Sequence, residues 1–265
     1  MLSDVTFGQY YETDSVVHRL DPRIKILILI AYVVFIFVAS NFYALLALTL
    51  FLIFSVILSN VPLFDMIKSL KGIIFIIIFT VILNLFFYKG DTTTVLFWII
   101  TKEAVYFSLF MALRLIILVS GSVLLTFTTT PVALTDGIES LLSPLKIIKF
   151  PVHELALVMS IALRFIPILM TEADRIIMSQ KARGADFESG NLLKRAKAMI
   201  PVLIPLLISA FRRAEELGDA MDSRCYSSSA VRSKYKKLTV KTADIIAMTI
   251  SIVVFTGVVL LGVFL

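Results

Sequence analysis

The sequence predicts an all-α, polytopic membrane protein with about five transmembrane helices and a domain of long helices inserted before the last span. Two observations carry this prediction. Of the 265 residues, 59% are hydrophobic, which is more than a water-soluble chain can bury beneath a polar surface. The apolar runs, such as residues 73–87, are continuous, whereas the strands of a membrane barrel would alternate apolar and polar residues.

The first half predicts a cytosolic tail at residues 1–23 and a four-span membrane domain at residues 24–130. The tail is acidic where a signal peptide would be basic. The four apolar segments, each close to the roughly 20 residues that cross a bilayer, are residues 24–39, 42–58, 72–88 and 104–126. The break between the first two, Ser40-Asn41, predicts a tight helical hairpin.

Two charged positions in this half need an explanation. Asp21-Pro22 is typical of an N-cap followed by proline in the first helical turn, with Arg23 and Lys25 orienting the helix. Arg114 lies midway along the fourth span, where a charge costs at least ~2.5 kcal/mol. It either anchors an interface by hydrogen bonding or snorkels from a shifted helix, and the sequence leaves both open.

The second half predicts an inserted domain at residues 131–240 and a final membrane segment at 241–265. Long helices are expected over residues 152–183 and 191–224. If the apolar run within the second helix crossed the bilayer, one of its two basic flanks would be translocated, against the positive-inside rule. We therefore expect both helices at or near the inner face, with a cytosolic N-terminus and a C-terminus outside the cell.

Each long helix ends in an arginine between small residues, Ala182-Arg183-Gly184 and Ser223-Arg224-Cys225. Helix capping alone accounts for a cation at a C-terminus and for glycine after it. It does not account for the repetition of the motif. Arginine presents a rigid fork of donors, and small neighbours let a helix end enter a groove, so we favour a docking role.

Several functions are excluded or disfavoured by composition. The chain has one cysteine, two histidines and no Gly-Lys pair, so we expect no disulfide, metal site, bound cofactor or P-loop. The net charge of +6 is attributed to topology and the lipid bilayer, not to nucleic acid. A membrane-embedded enzyme with its site at the inner face is the alternative, but it needs titratable groups inside the bilayer, and only Arg114 is clearly intramembrane.

The chain resembles the transmembrane T component (EcfT) of energy-coupling factor (ECF) transporters. The resemblance rests on residues 18–25, which are similar to that family's Asp-Pro-Arg-x-Lys entry to the first span, and on the two arginine motifs. It implies a non-catalytic scaffold in the cell membrane that links two ABC-type ATPase subunits to a substrate-binding membrane subunit, the S component. The complex would take up a vitamin or another micronutrient, and ATP would be used by the partner subunits only.

The resemblance also implies roles for particular residues. The ATPase-binding set would be the two tips, Ala182, Arg183, Gly184, Ser223, Arg224 and Cys225. Apolar positions on the two long helices are the candidates for contact with the S component: Met159, Leu163, Met170, Met199, Leu203 and Leu207. The transported substrate and the pairing of each arginine with an ATPase stay open.

Overall fold

The computed structural model describes residues 10–87, 95–97, 100–148, 150–187, 191–227 and 239–264. Most of these residues are helical, and the prediction of an all-α, polytopic membrane protein is confirmed. A small antiparallel hairpin of β1 (Val95–Phe97) and β2 (Ile100–Thr101) is the exception. The first nine residues of the predicted tail and residues 228–238 before the final span lie outside the described residues.

The chain divides into two units. The bundle unit contains the described residues up to 141 and those from 239 onward, and the inserted unit contains those between. The helices of the bundle unit are α1 (Pro22–Val38), α2 (Phe42–Ser59), α3 (Leu63–Leu70), α4 (Ile74–Phe87), α5 (Lys102–Thr128), α6 (Pro131–Leu142, of which the last residue belongs to the inserted unit) and α9 (Thr242–Phe264).

The core of the bundle unit is formed by α1, α2, α5 and α9. Ile36, Leu45 and Leu48 are completely buried there. The ring of Phe255 stacks on Phe35 at a centroid distance of 4.8 Å and meets Phe51 edge-on at 5.7 Å. The final helix is therefore packed into the bundle through aromatic contacts with both helices of the first hairpin.

Both charged positions of the first half are explained by hydrogen bonds. Asp21 is the N-cap of α1, since its side chain accepts from the backbone N–H of Arg23 at 2.9 Å, as predicted. Arg114 donates to the carbonyl of Ala39 at the end of α1, and its guanidinium carbon lies 4.7 Å from the Phe110 ring centroid. Arg114 is thus the hydrogen-bonding anchor of the two alternatives, and it joins α5 to α1.

The third apolar segment, predicted at residues 72–88, is observed as α4 to within two residues. The connection that precedes it is itself helical, as α3, and α3 and α4 are bent by 57° at their break. The break falls at Lys71 and Gly72; glycine lowers helix propensity, and the lysine is poorly suited to hydrocarbon. The helical part after the break has only 14 residues, so it needs α3 to complete a crossing.

The inserted unit holds α7 (Val152–Ala182) and α8 (Leu192–Ser223), preceded by a 3₁₀ turn over Ser143–Ile148. Both helices run without interruption through internal prolines, Pro167 in α7 and Pro201 and Pro205 in α8. Their bounds agree with the two predicted long helices to within one residue at each end.

Four helices among the described residues are long and apolar enough to cross a membrane: α2, α5, α7 and α9. The bent α3–α4 pair makes a fifth if it is one span. The number of candidate spans agrees with the five expected, but the helices that make up the set differ from those predicted. At 17 residues, α1 is about 25 Å long and is shorter than a typical span, whereas α7 qualifies by length and composition. The placement of α7 at the inner face of the membrane therefore stays a prediction.

Candidate functional site

The end of α7 is closed by two backbone hydrogen bonds around Arg183. Arg183 is the C-cap, and Gly184 follows it with φ = +87°. The N–H of Gly184 donates to the carbonyl of Lys181 at 3.0 Å, and that of Ala185 donates to Gln180 at 3.0 Å. This pair of bonds is a Schellman motif, which needs a left-handed residue after the cap.

The end of α8 has the same construction around Arg224. Arg224 is the C-cap, and Cys225 follows it with φ = +55°. Cys225 donates to the carbonyl of Asp222 at 2.9 Å, and Tyr226 donates to Met221 at 3.0 Å. The two motifs therefore share one backbone geometry, in which the residue after each arginine occupies the left-handed region.

This geometry explains the glycine that follows Arg183 but not the cysteine that follows Arg224. Glycine adopts a positive φ without strain, whereas a cysteine there pays roughly 1 kcal/mol or more. The capping alternative weighed from the sequence is thus correct for the backbone at both ends. The hydrogen bonds of the cap use only main-chain groups, so they do not determine what the arginine side chains bind.

Both arginine side chains are exposed. Within the described part of the chain, neither guanidinium takes part in an ion pair or a hydrogen bond, whereas Arg213 of α8 pairs with Glu172 of α7 at 3.3 Å. Each long helix thus offers a cation at a rigid tip with its five donors available. Such a group suits a carboxylate or a row of carbonyls on a partner protein.

The two helices are joined to each other away from their tips. Besides the Arg213–Glu172 pair, apolar side chains of α7 and α8 line a shared groove. They include Phe165 and Leu169 of α7 and Leu217 of α8. An ion pair and apolar side chains thus join α7 and α8 within the inserted unit.

An apolar stripe runs along α8 with helical spacing. Ile200, Ile204, Ile208 and Phe211 are 47–64% exposed and lie three to four positions apart, so they share one face. Of the predicted contact residues, Leu203 and Leu207 are 55% and 58% exposed and Met199 is 37% exposed. Those predicted on α7, namely Met159, Leu163 and Met170, are half-buried.

Asp244 is a buried polar residue that the sequence analysis missed. It lies in the first turn of α9 and is 1% exposed. Its Oδ1 accepts the backbone N–H of Asp21 at 2.7 Å, and its Oδ2 accepts that of Lys241 at 2.7 Å. One carboxylate therefore caps α9 and also holds the residue that caps α1. The spacing of a capping carboxylate, three residues after the cap at Lys241, was the available signal.

Lys25 is buried next to this carboxylate. Its ammonium donates to the carbonyls of His18 at 3.2 Å and Thr128 at 2.8 Å and to the hydroxyl of Thr129 at 3.3 Å. The charge of Asp244 acts on it across the same cluster. Lys25 was predicted as an orienting cation, but the structure gives it a binding role at the junction of α1 and α5.

His18 fixes the segment that precedes α1. Its Nδ1 lies 2.7 Å from the Ser15 hydroxyl and its Nε2 lies 3.0 Å from the carbonyl of Tyr11. Burial, followed by the positive charge of Lys25, lowers the pKa of His18 below its ordinary value of 6.5. The N–H of Tyr11 in turn donates to the carbonyl of Phe127 in α5 at 3.0 Å, so the described part of the predicted tail contacts the bundle.

Comparison with known proteins gives matches over nearly the whole chain. A model of the cobalt transport protein family (CbiQ) matches residues 13–235. A relative from Ruminiclostridium cellulolyticum is 48% identical over 264 residues, which cover 98% of each chain. One from Thermosediminibacter oceani is 49% identical over 250 residues, covering 93% of each. Both relatives bear the name energy-coupling factor transporter transmembrane protein EcfT.

The fold and these matches define the class first: a multi-pass membrane protein that serves as the membrane component of a transporter. The relatives align over nearly the whole chain and share close to half of its residues, which identifies the particular family. The chain belongs to the EcfT family, the transmembrane proteins of energy-coupling factor transporters. The family resemblance inferred from the arginine motifs is confirmed.

Proposed function

We propose that this chain is the scaffold that links two cytosolic ABC-type ATPases to a substrate-binding membrane subunit, the S component, for uptake of a vitamin or another micronutrient. The observation that supports this most directly is the repeated tip geometry. Two arginines on two joined helices have the same backbone closure and the same exposure. A pair of equivalent tips suits a pair of related partners.

In this proposal the chain performs no catalysis and binds no cofactor, and ATP is used by the partner subunits. Movement of the ATPases displaces the helix ends at Arg183 and Arg224. The contact between α7 and α8 carries that displacement along both helices as a rigid-body movement. The exposed face of α8, with Met199, Leu203 and Leu207, contacts the S component, and the half-buried candidates of α7 complete that surface.

The proposed topology has the N-terminus and both tips in the cytosol and the C-terminus outside the plasma membrane. The ATPases are cytosolic in this scheme, so both tips have to lie on that side. Lysines and arginines are abundant in residues 171–241, which favours a cytosolic location for the flanks of α8.

The test is co-purification of the ATPases with the Arg183→Ala, Arg224→Ala double variant from native membranes. Losing a central arginine hot spot costs about 2 kcal/mol or more, so two losses should release the ATPases. The matched control is Arg175→Ala with Arg212→Ala, which removes one exposed arginine from the body of each helix. Retention of both ATPases by the tip variant, at the level of the control, would refute the docking role.

A further inference from the structure

A narrow apolar groove lies in the bundle unit, at the end where α1 and α9 begin. The two helices that flank it, α2 and α9, are in contact farther along. Phe51 meets Phe255 there, and the Asn41 amide donates to the carbonyl of Leu261 at 3.5 Å. Toward the start of α9 they leave between them a cavity of about 260 Å³.

The groove has a buried floor and an exposed rim. Tyr32 and Ser251, both 3% exposed, belong to the floor. Phe54 of α2 and Ile246 of α9 belong to the rim and are 49% and 59% exposed. The groove therefore opens sideways, out of the bundle, where α2 and α9 would face hydrocarbon in a membrane.

The polar side chains along this groove are already satisfied by the protein. Tyr32, Ser55, Thr128 and Ser251 each donate to a backbone carbonyl of a helix, at 2.8–3.4 Å. Lys25 makes its three bonds to His18, Thr128 and Thr129. Because these donors are occupied, the groove offers little to a polar ligand and suits a hydrocarbon occupant.

We propose that this groove binds one acyl chain of a phospholipid from the leaflet at which α1 and α9 begin. An engineered apolar cavity of roughly 150 Å³ already takes up benzene, so the size is sufficient for part of a chain.

The head group would lie beyond the rim at the same end. Two exposed cations, Arg19 and Lys241, are close in the chain to residues that line the groove. Arg19 directly precedes Leu20, and Lys241 lies two positions before Ala243. Arg19 also pairs with Asp14 at 3.4 Å, in an exposed and therefore exchangeable ion pair. These cations complement the phosphate of a lipid from the adjacent leaflet, which favours a phospholipid over an uncharged hydrocarbon.

The test uses membrane vesicles that contain the full-length chain with its partners. A phosphatidylglycerol with a diazirine midway along one acyl chain is added and irradiated, and labelled peptides are identified by mass spectrometry. Ala247→Phe fills the groove from α9, and Leu58→Trp fills it from α2. Val253→Phe is the control, because it enlarges a 66% exposed residue of α9 outside the groove.

We expect labels concentrated on the lining residues of α2, α5 and α9. Each filling variant should lower that labelling about tenfold, as expected if roughly two methylene groups are displaced, and Val253→Phe should leave it unchanged. Two independent filling variants keep the test decisive if one of them fails to fold.

Three results would overturn the proposal. Labels spread evenly over the lipid-facing helices would show that the groove holds no chain in particular. An uncharged diacylglycerol with the same diazirine that labels as strongly as the phospholipid would show that the charged head group has no role. Labelling that appears only after the partners are removed would show that a partner side chain fills the groove. None of these results bears on ATPase docking at the arginine tips.

Discussion

Replacing Asp244 with alanine should destabilise the bundle more than any other single removal of a carboxylate. The substitution deprives the N–H groups of Asp21 and Lys241 of their acceptor. The Asp21 donor is in a residue only 6% exposed, and leaving a buried donor unpaired costs about 1–3 kcal/mol. The buried ammonium of Lys25 also loses a compensating charge. Together with the lost N-cap of α9, which is worth about 0.5–2 kcal/mol, the total cost should be about 2–5 kcal/mol.

The assay is thermal unfolding of the full-length chain in detergent. The fraction of protein that stays monodisperse after heating is measured at each temperature, and its midpoint is compared between variants. For a chain of this size, roughly 2–4 °C is lost per kcal/mol. Asp244→Ala should therefore lower the midpoint by at least about 4 °C. The midpoint of Asp244→Asn should lie between those of the unsubstituted chain and Asp244→Ala, because asparagine keeps one carbonyl acceptor but loses the charge.

The control is Asp65→Ala, which removes another first-turn carboxylate, that of α3. Its effect should stay within the ~0.3–1 kcal/mol of a helix-dipole interaction. If Asp244→Ala lowers the midpoint no more than Asp65→Ala does, the buried capping role assigned to Asp244 is wrong.

Three further perturbations test other contacts. Gly121→Ala places a Cβ 2.6 Å from the Tyr32 ring and should cost about 1–3 kcal/mol by overpacking in the same thermal assay, whereas Gly257→Ala, with nothing within 4 Å, should be tolerated. Cys225→Gly relieves a positive φ and should strengthen hydrogen-exchange protection at the end of α8 without weakening ATPase retention. The lowered pKa of His18 means that the unfolded chain binds the proton more tightly, so stability should fall as the pH drops through 6.5, and His18→Gln should flatten that dependence in pH-resolved melts.

The helices were largely predictable because their signals are local. Hydrophobic runs and turn residues placed α1, α2, α7 and α8 to within about two residues of their observed bounds. The segment at residues 72–88 gave α4 to within two residues, but α3 was not predicted, because residues 63–70 are few and carry Asp65 and Lys68.

Contacts between distant parts of the chain were harder to predict. Asp21 and Asp244 are 223 positions apart, and neither position alone reveals that one binds the other. The sequence analysis gave Asp244 no role within the final segment, although its carboxylate is what fixes that segment to α1. Similarly, the arginine tips were evident as motifs, but the left-handed backbone of Cys225 was not, since cysteine seldom occupies that region.

The most direct test of the proposed coupling is the side of the membrane on which the two tips lie. Cys225 is the only cysteine of the chain and is exposed beside Arg224, so a membrane-impermeant maleimide reports the α8 tip in the native sequence. Ala182→Cys with Cys225→Ser reports the α7 tip. We predict that both sites react in inside-out vesicles stripped of the ATPases, and that neither reacts in right-side-out vesicles. Reaction of the two sites from opposite sides would contradict a shared cytosolic docking face.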